Sequence, residues 1–214
     1  MNKCDISLYA ILDPSRTRGR PLVDMAVSAA KGGATIIQYR DKNADTRVLI
    51  ENAREISMRL KPYNVPLLIN DRVDVALASG ADGVHVGQSD MSPQDARQLL
   101  GGEAIIGLTL KTDEHAMAAP ADMLDYVCIG GVFDTLSKDN TTSMGVDGWS
   151  HVAKRFRQIK SALPIGAIAG IDASNIQSVL GAGADGAAII SAIFMADDVE
   201  VATRTLQSII RDAI

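Results

Sequence analysis

Short apolar, β-branched runs alternate with longer segments of helical period along the whole chain, the pattern of parallel strands joined by crossover helices. Strands are expected at about residues 6–12, 35–39, 66–70, 82–86, 104–109, 124–129, 164–168 and 186–190. About eight βα units predict a closed (β/α)8 barrel, and 214 residues suit a single such domain spanning 1–214. Internal similarity supports the count: Ser79-Gly80-Ala81-Asp82-Gly83-Val84 recurs as Gly183-Ala184-Asp185-Gly186-Ala187, with Gly32-Gly33-Ala34-Thr35 a weaker echo. In each copy glycine should end a helix in a left-handed turn, and the next two residues should lead the chain into the barrel. An open dinucleotide-binding sheet would need Gly-x-Gly-x-x-Gly after the first strand. Here Leu12 is followed by Asp13-Pro14-Ser15-Arg16-Thr17-Arg18-Gly19-Arg20, which offers no such turn.

Composition narrows the setting. Apolar residues make up 47% of the chain, yet charges interrupt every stretch approaching the ~20 residues of a membrane span. Asp5 falls where a signal peptide would continue into its apolar segment, so a cytoplasmic location is the default expectation. Cys4 and Cys128 are far apart, and Cys128 sits in an apolar run, so both read as reduced core thiols. A net charge of -5 speaks against a broad nucleic-acid surface but not against a small basic pocket for phosphates. No helix shows an apolar stripe in excess of core needs, so the oligomeric state is not legible.

In a barrel of this kind the working groups gather at the carboxyl ends of the strands. After the second strand, alternation points Gln38, Arg40 and Lys42 to one side and Tyr39 and Asp41 to the other, which makes the first three a candidate diphosphate clamp. The third strand ends in Asn70-Asp71-Arg72, and the fourth in His85-Val86-Gly87-Gln88-Ser89-Asp90. Asp71 and Asp90 are candidates to share one hard cation, since magnesium takes few protein oxygens and fills its shell with water and phosphate. Taken singly, each reads as a helix cap: Asp71 before Val73, Asp90 just before Ser92-Pro93. His85 reads as a core residue or one supporting the site from behind.

Thr109 brings a hydroxyl to the rim after the fifth strand. After the sixth comes a long polar segment, Gly130 to Thr142, carrying Thr135, Leu136, Ser137 and Lys138. Loops of this length are usually lids or binding loops, and the stretch from Gly131 to Gly145 is expected to be mobile until ligands bind. Lys138 can meet a diphosphate as a point charge, and Thr135 and Ser137 can bond phosphate oxygens. Gly170, Ile190 and Ser191 end the last two strands, where such barrels build phosphate sites. His85, His115 and His151 lack close metal-ligand spacing, the latter two falling on predicted helical surfaces. No Gly-x-Ser-x-Gly elbow is present, and no lysine is clearly placed for a Schiff base.

Taken together, Gln38-x-Arg40-x-Lys42, Asn70-Asp71-Arg72-Val73-Asp74-Val75-Ala76, Gly83-Val84-His85-Val86-Gly87-Gln88-x-Asp90, Thr135-x-Ser137-Lys138 and the closing Gly-Ala-Asp-Gly unit resemble the thiamine-phosphate synthase family over nearly the whole chain. The resemblance implies magnesium-dependent coupling of 4-amino-2-methyl-5-(diphosphooxymethyl)pyrimidine with a thiazole phosphate. It assigns Gln38, Arg40, Lys42, Asn70, Thr109 and Lys138 to the pyrimidine diphosphate, with Arg40, Lys42, Lys138 and Thr109 carrying the chemistry, and Asp71 and Asp90 to Mg2+. The thiazole phosphate falls to Thr135, Ser137, Gly170, Ile190 and Ser191, with Leu136 between the first two. Departures from the family pattern are Thr109 for serine, Lys111 for histidine, Gly131 for proline, and Ala167 and Ala169 for glycines. A related tautomerase acting on the thiazole would be expected to carry histidine at Lys111 and to lack the full clamp. A non-catalytic phosphate-ligand sensor would have no need of both acids together with Lys138.

Overall fold

The computed structural model describes residues 4–134, 143–159 and 162–213. Eight parallel strands close into a ring in chain order: β1 (Leu8–Leu12), β2 (Ile36–Tyr39), β3 (Leu67–Asn70), β4 (Gly83–Val86), β5 (Ile105–Leu110), β6 (Tyr126–Gly130), β7 (Ile165–Ile168) and β8 (Gly186–Ile189). The expected strands all form, most of them one or two residues shorter at the start. Between them run α1 (Leu22–Gly32), α2 (Thr46–Leu60), α3 (Val73–Ser79), α4 (Pro93–Leu100), α5 (Asp113–Ala118), α6 (Gly145–Ile159) and α7 (Ile176–Gly181). A short α8 (Ser191–Phe194) and a long α9 (Val199–Ala213) follow β8. Among the described residues no helix is long and apolar enough to cross a membrane.

Alternation along the strands sorts the core into two shells. In β1, Leu8, Ala10 and Leu12 face outward to the layer beneath the helices, while Tyr9 and Ile11 join Ile36, Leu68, Tyr126 and Cys128 inside the ring. The outer shell is the larger, because it collects the apolar stripe of every helix, for example Leu49, Ala53, Ile56 and Leu60 of α2. Cys4 and Cys128 are free and buried, as their sequence context implies, and burial pushes the Cys4 thiol up to about 12.

The Gly-Ala-Asp repeat turns out to have a specific task at the bottom of the barrel. The glycines do take left-handed backbone, φ 71° at Gly80 and 100° at Gly183. The aspartate then clasps the strand before it. Asp82 Oδ2 accepts from Leu67 N (2.8 Å) and Asp185 Oδ2 from Ile165 N (2.7 Å), and Asp125, which follows Met123-Leu124 outside the repeat, does the same for Ile106 N (2.8 Å). Thr35 does the same with its hydroxyl, accepting from Leu8 N at 3.1 Å, so the weak sequence echo is a functional one. Each even strand is thus preceded by a side chain that accepts from an N–H at the start of its odd neighbour, the first residue of β1, β3 and β7 and the second of β5. Arg97 braces Asp125 at 2.7 Å and Arg157 braces Asp185 at 2.8 Å.

Burial sets how much each clasp contributes. The Asp125 side chain is 9% exposed and that of Asp185 43%. Asp125→Ala, which strands the Ile106 N–H and takes away the charge partner of the part-buried Arg97, should cost about 3 kcal/mol, whereas Asp185→Ala should cost about 1 kcal/mol. Urea denaturation of the two variants checks this; equal losses would show that burial does not set the value of the clasp.

Candidate active site

The rim at the carboxyl ends of the strands collects those of the expected polar site residues that lie among the described ones. Gln38, near the end of β2, points into the barrel and donates through Nε2 to the Tyr9 hydroxyl. Arg40 leans to the end of β1 and pairs with Asp13, while Lys42 leans the other way and pairs with Asp71 after β3. The three basic and amide groups therefore do leave one face of β2, but they are spread over the ends of three strands rather than pooled at one point. Tyr39 faces the opposite way, its hydroxyl accepting from Asn52 of α2 at 3.0 Å.

Asp71 is no helix cap: the residue at the start of α3 is Arg72, which makes no side-chain cap bond. Instead Asp71 takes left-handed backbone, φ 60°, and its N–H donates to His85 O at 2.8 Å, tying the end of β3 to β4. Left-handed backbone at a residue other than glycine costs stability and tends to persist where function holds it. Asp90 accepts from Gly87 N at 2.7 Å, and Ser92 caps α4 by accepting from Asp95 N at 3.1 Å, as the Ser-Pro pair implies. The two acids are close enough to share a hydrogen bond. Burial in the first place, and then the Asp71 carboxylate beside it, hold the Asp90 carboxyl above its ordinary range, against the opposing Gly87 N–H and Lys42.

This pair fits a magnesium ion. Both donors are hard carboxylate oxygens, there are only two of them, and the ion favours one or two carboxylates with the remaining positions given to water and phosphate. Among the described residues no group of three or more His, Cys, Asp or Glu side chains forms a metal cage, so a softer or fully protein-ligated ion is not matched. Electrostatics agree. Asp13, Asp71 and Asp90 outnumber Arg40 and Lys42, so these five groups alone repel a diphosphate, and a divalent cation between the acids reverses the sign.

Thr109, in β5, reaches inward to His85 Nε2 at 2.8 Å. Asn70 ends β3 opposite His85. Across the rim, Gly170 follows β7, and Ile190 and Ser191 open α8 after β8, on neighbouring strands. A Cβ at Gly170 would lie 2.5 Å from Asp134 O, so this position has room only for glycine. Ala169, where the family pattern has glycine, keeps the backbone path of one at φ 97° and accepts from Phe133 N at 3.2 Å. Thr135, Leu136, Ser137 and Lys138 lie outside the described residues, as does most of the long segment expected to move. Asp13, Tyr9 and Tyr126 escaped the sequence reading. Asp13 had a signal, since it ends an apolar run at the rim as Asp71 nearly does, whereas the two tyrosines look like ordinary core residues of apolar strands.

Residues 8–193 match the family model described as thiamine monophosphate synthase. The chain belongs to that family. It is 49% identical to thiamine-phosphate synthase of Agrobacterium fabrum, over 100% of this chain and 98% of that protein. It is 44% identical to the synthase of Clostridium novyi, over 94% and 97%. The solved structure of thiamine phosphate pyrophosphorylase from Pyrococcus furiosus superposes with a TM-score of 0.86 at 34% identity, covering 99% of this chain and 98% of that one.

Two substitutions separate stability from activity at this rim. Because ionised Asp90 is disfavoured in the fold, Asp90→Asn should raise the melting temperature of the protein in chelator at neutral pH, the amide oxygen still accepting from Gly87; an unchanged or lower value would count against the unfavourable burial of that charge. Ala169→Gly should stabilise the protein by about 1 kcal/mol by relieving the left-handed alanine, and urea denaturation would detect it.

Proposed function

We propose that this protein joins 4-amino-2-methyl-5-(diphosphooxymethyl)pyrimidine to a thiazole phosphate, giving thiamine phosphate and diphosphate in a magnesium-dependent reaction. The observation that carries this reading is the carboxylate pair Asp71–Asp90 at the ends of adjoining strands, set beside Lys42 and Arg40. The membership of the thiamine monophosphate synthase family over residues 8–193 supports the same substrates.

Asp71 and Asp90 would hold the magnesium. When bound, the ion neutralises the diphosphate and makes it a better leaving group. Arg40 and Lys42 hold the diphosphate oxygens, and Lys42 is the more available of the two, being 53% exposed against 20% for Arg40. Asp13, nearly buried, fixes the guanidinium from behind so that its remaining donors face the ligand. Lys138 adds a further cation from the long segment after β6. The bond from the methylene carbon to the diphosphate oxygen breaks first. The electron-rich aminopyrimidine spreads the positive charge left on that carbon, and the thiazole nitrogen then supplies the electron pair of the new C–N bond. No protein nucleophile is needed; the protein contributes fixed charge around the leaving group and holds two rings in line.

Gly170, Ile190 and Ser191, at the ends of β7 and β8, hold the thiazole phosphate, and the family resemblance adds Thr135 and Ser137 from outside the described residues. Two free, buried cysteines suit a reducing compartment, and we place the reaction in the cytoplasm.

Incubation with both substrates, with and without magnesium, and mass spectrometry of the products tests the reading. Thiamine phosphate should form only with the metal; binding of both ligands without product would point to a sensor. Asp71→Asn should lower turnover by more than ~100-fold, about 2.7 kcal/mol, and a near-wild-type rate at limiting magnesium would remove Asp71 from the metal site.

A further inference from the structure

A chain of polar groups crosses the inside of the barrel beneath the rim. Gln38 Nε2 donates to the Tyr9 hydroxyl, which lies 2.9 Å from the Tyr126 hydroxyl. Tyr126 in turn lies 2.8 Å from His85 Nδ1, and His85 Nε2 lies 2.8 Å from Thr109 Oγ1. Gln38, Tyr9, His85 and Tyr126 are 2%, 1%, 6% and 0% exposed. Five polar groups from five strands are costly to place in a barrel interior, which apolar side chains normally fill. The neighbouring strand is adapted to admit them: a Cβ at Gly107 would sit 2.1 Å from Tyr126 Cζ, so glycine there clears space for the ring. Tyr9 and Tyr126 pack edge to face with centroids 5.7 Å apart, and His85 lies 5.5 Å from Tyr126. Burial pushes both phenols well above their ordinary range, so each stays a neutral hydroxyl with one proton to give.

Such a chain has a direction. Each hydroxyl holds one proton, so once Gln38 donates to Tyr9, Tyr9 donates to Tyr126 and Tyr126 donates to His85 Nδ1. His85 then carries its proton on Nε2 and gives it to Thr109 Oγ1, leaving the Thr109 proton for the ligand. At the other end one N–H of the Gln38 amide is taken by Tyr9, which fixes the orientation of the amide and turns its carbonyl oxygen away from Tyr9 as an acceptor. We propose that Tyr9, Tyr126 and His85 are positioning residues of the pyrimidine pocket, a one-way hydrogen-bond chain that makes Thr109 a fixed donor and Gln38 a fixed acceptor. This rests on the assignment of Gln38 and Thr109 to the pyrimidine diphosphate made above. An aminopyrimidine is the ligand such a pair recognises, because it carries N–H donors and ring-nitrogen acceptors at fixed separation. An acceptor held at its amino group also favours the positive charge that develops when the diphosphate leaves.

The test uses the intact protein and its Tyr9→Phe and Tyr126→Phe variants, which keep the rings and remove one hydroxyl each. The tautomer of His85 is read from long-range 1H–15N spectra of the ligand-free protein, where three histidines make assignment direct, and kcat and KM are measured for both substrates. Wild type should show His85 as the Nε2–H form. Tyr126→Phe should convert it to a mixture of tautomers and lower kcat about tenfold, the factor carried by one hydrogen bond, with KM for the thiazole phosphate unchanged. Tyr9→Phe should also loosen the tautomer, because Tyr126 loses the donor that sets its direction, and should in addition raise KM for the pyrimidine diphosphate, because it frees Gln38. A wild-type His85 found as the Nδ1–H form or as imidazolium overturns the proposal, as does a pair of variants that lose stability but keep wild-type kcat and KM. The spectra need no substrate, so a failure to form thiamine phosphate would sink the functional reading while the tautomer result still judged the chain.

Discussion

The pairing of β8 with β1 closes the sheet, and the arrangement of everything else follows from it. A parallel ring has one polarity, so the carboxyl ends of all eight strands open on the same rim while the amino ends share the opposite one. Asp13 and Arg40, separated by 27 positions in sequence, meet because β1 and β2 are neighbours with a common direction. Lys42 meets Asp71, and Asp71 meets Asp90, by the same logic applied to β2, β3 and β4. An open sheet would supply edges; the closed one supplies a cup.

The two rims differ in how they use polar groups. At the amino-end rim, aspartates satisfy backbone N–H groups and arginines brace the aspartates, so charge there holds strands together. At the carboxyl-end rim, carboxylates crowd each other, Asp71 and Ala169 hold left-handed backbone, and the clamp residues are shared out among acids. The well-satisfied opposite rim and the double apolar shell carry the fold. Between the rims, the Gln38 to Thr109 chain replaces part of the apolar filling with directed hydrogen bonds. It links the polar mouth to the interior of the barrel.

Strand positions, the barrel class, the cap at Ser92, the left-handed glycines and the buried cysteines were all legible in the sequence, because each depends on local backbone preference or on the period with which apolar residues recur. The Gly-Ala-Asp repeat was legible as a pattern but not as a clasp, since the partner N–H belongs to the preceding strand, many residues away. Asp71 shows the limit most clearly. By local rules it is a good helix cap; in the folded chain a hydrogen bond from its N–H to His85 O draws it out of that role and turns it toward Asp90.

Local sequence suffices to say which segments become strands and helices, and to put Gln38, Arg40, Lys42, Asn70, Asp71, Asp90 and Thr109 near the ends of β2 to β5, because element type and element end are set by neighbours along the chain. Which of those groups touch, that Asp13 stands behind Arg40, and that Tyr9, Tyr126 and His85 form one hydrogen-bonded line emerged only with the closed barrel. The reason is physical: a strand's side-chain alternation is encoded within the strand, whereas the partner a side chain meets depends on the register and closure of the other seven.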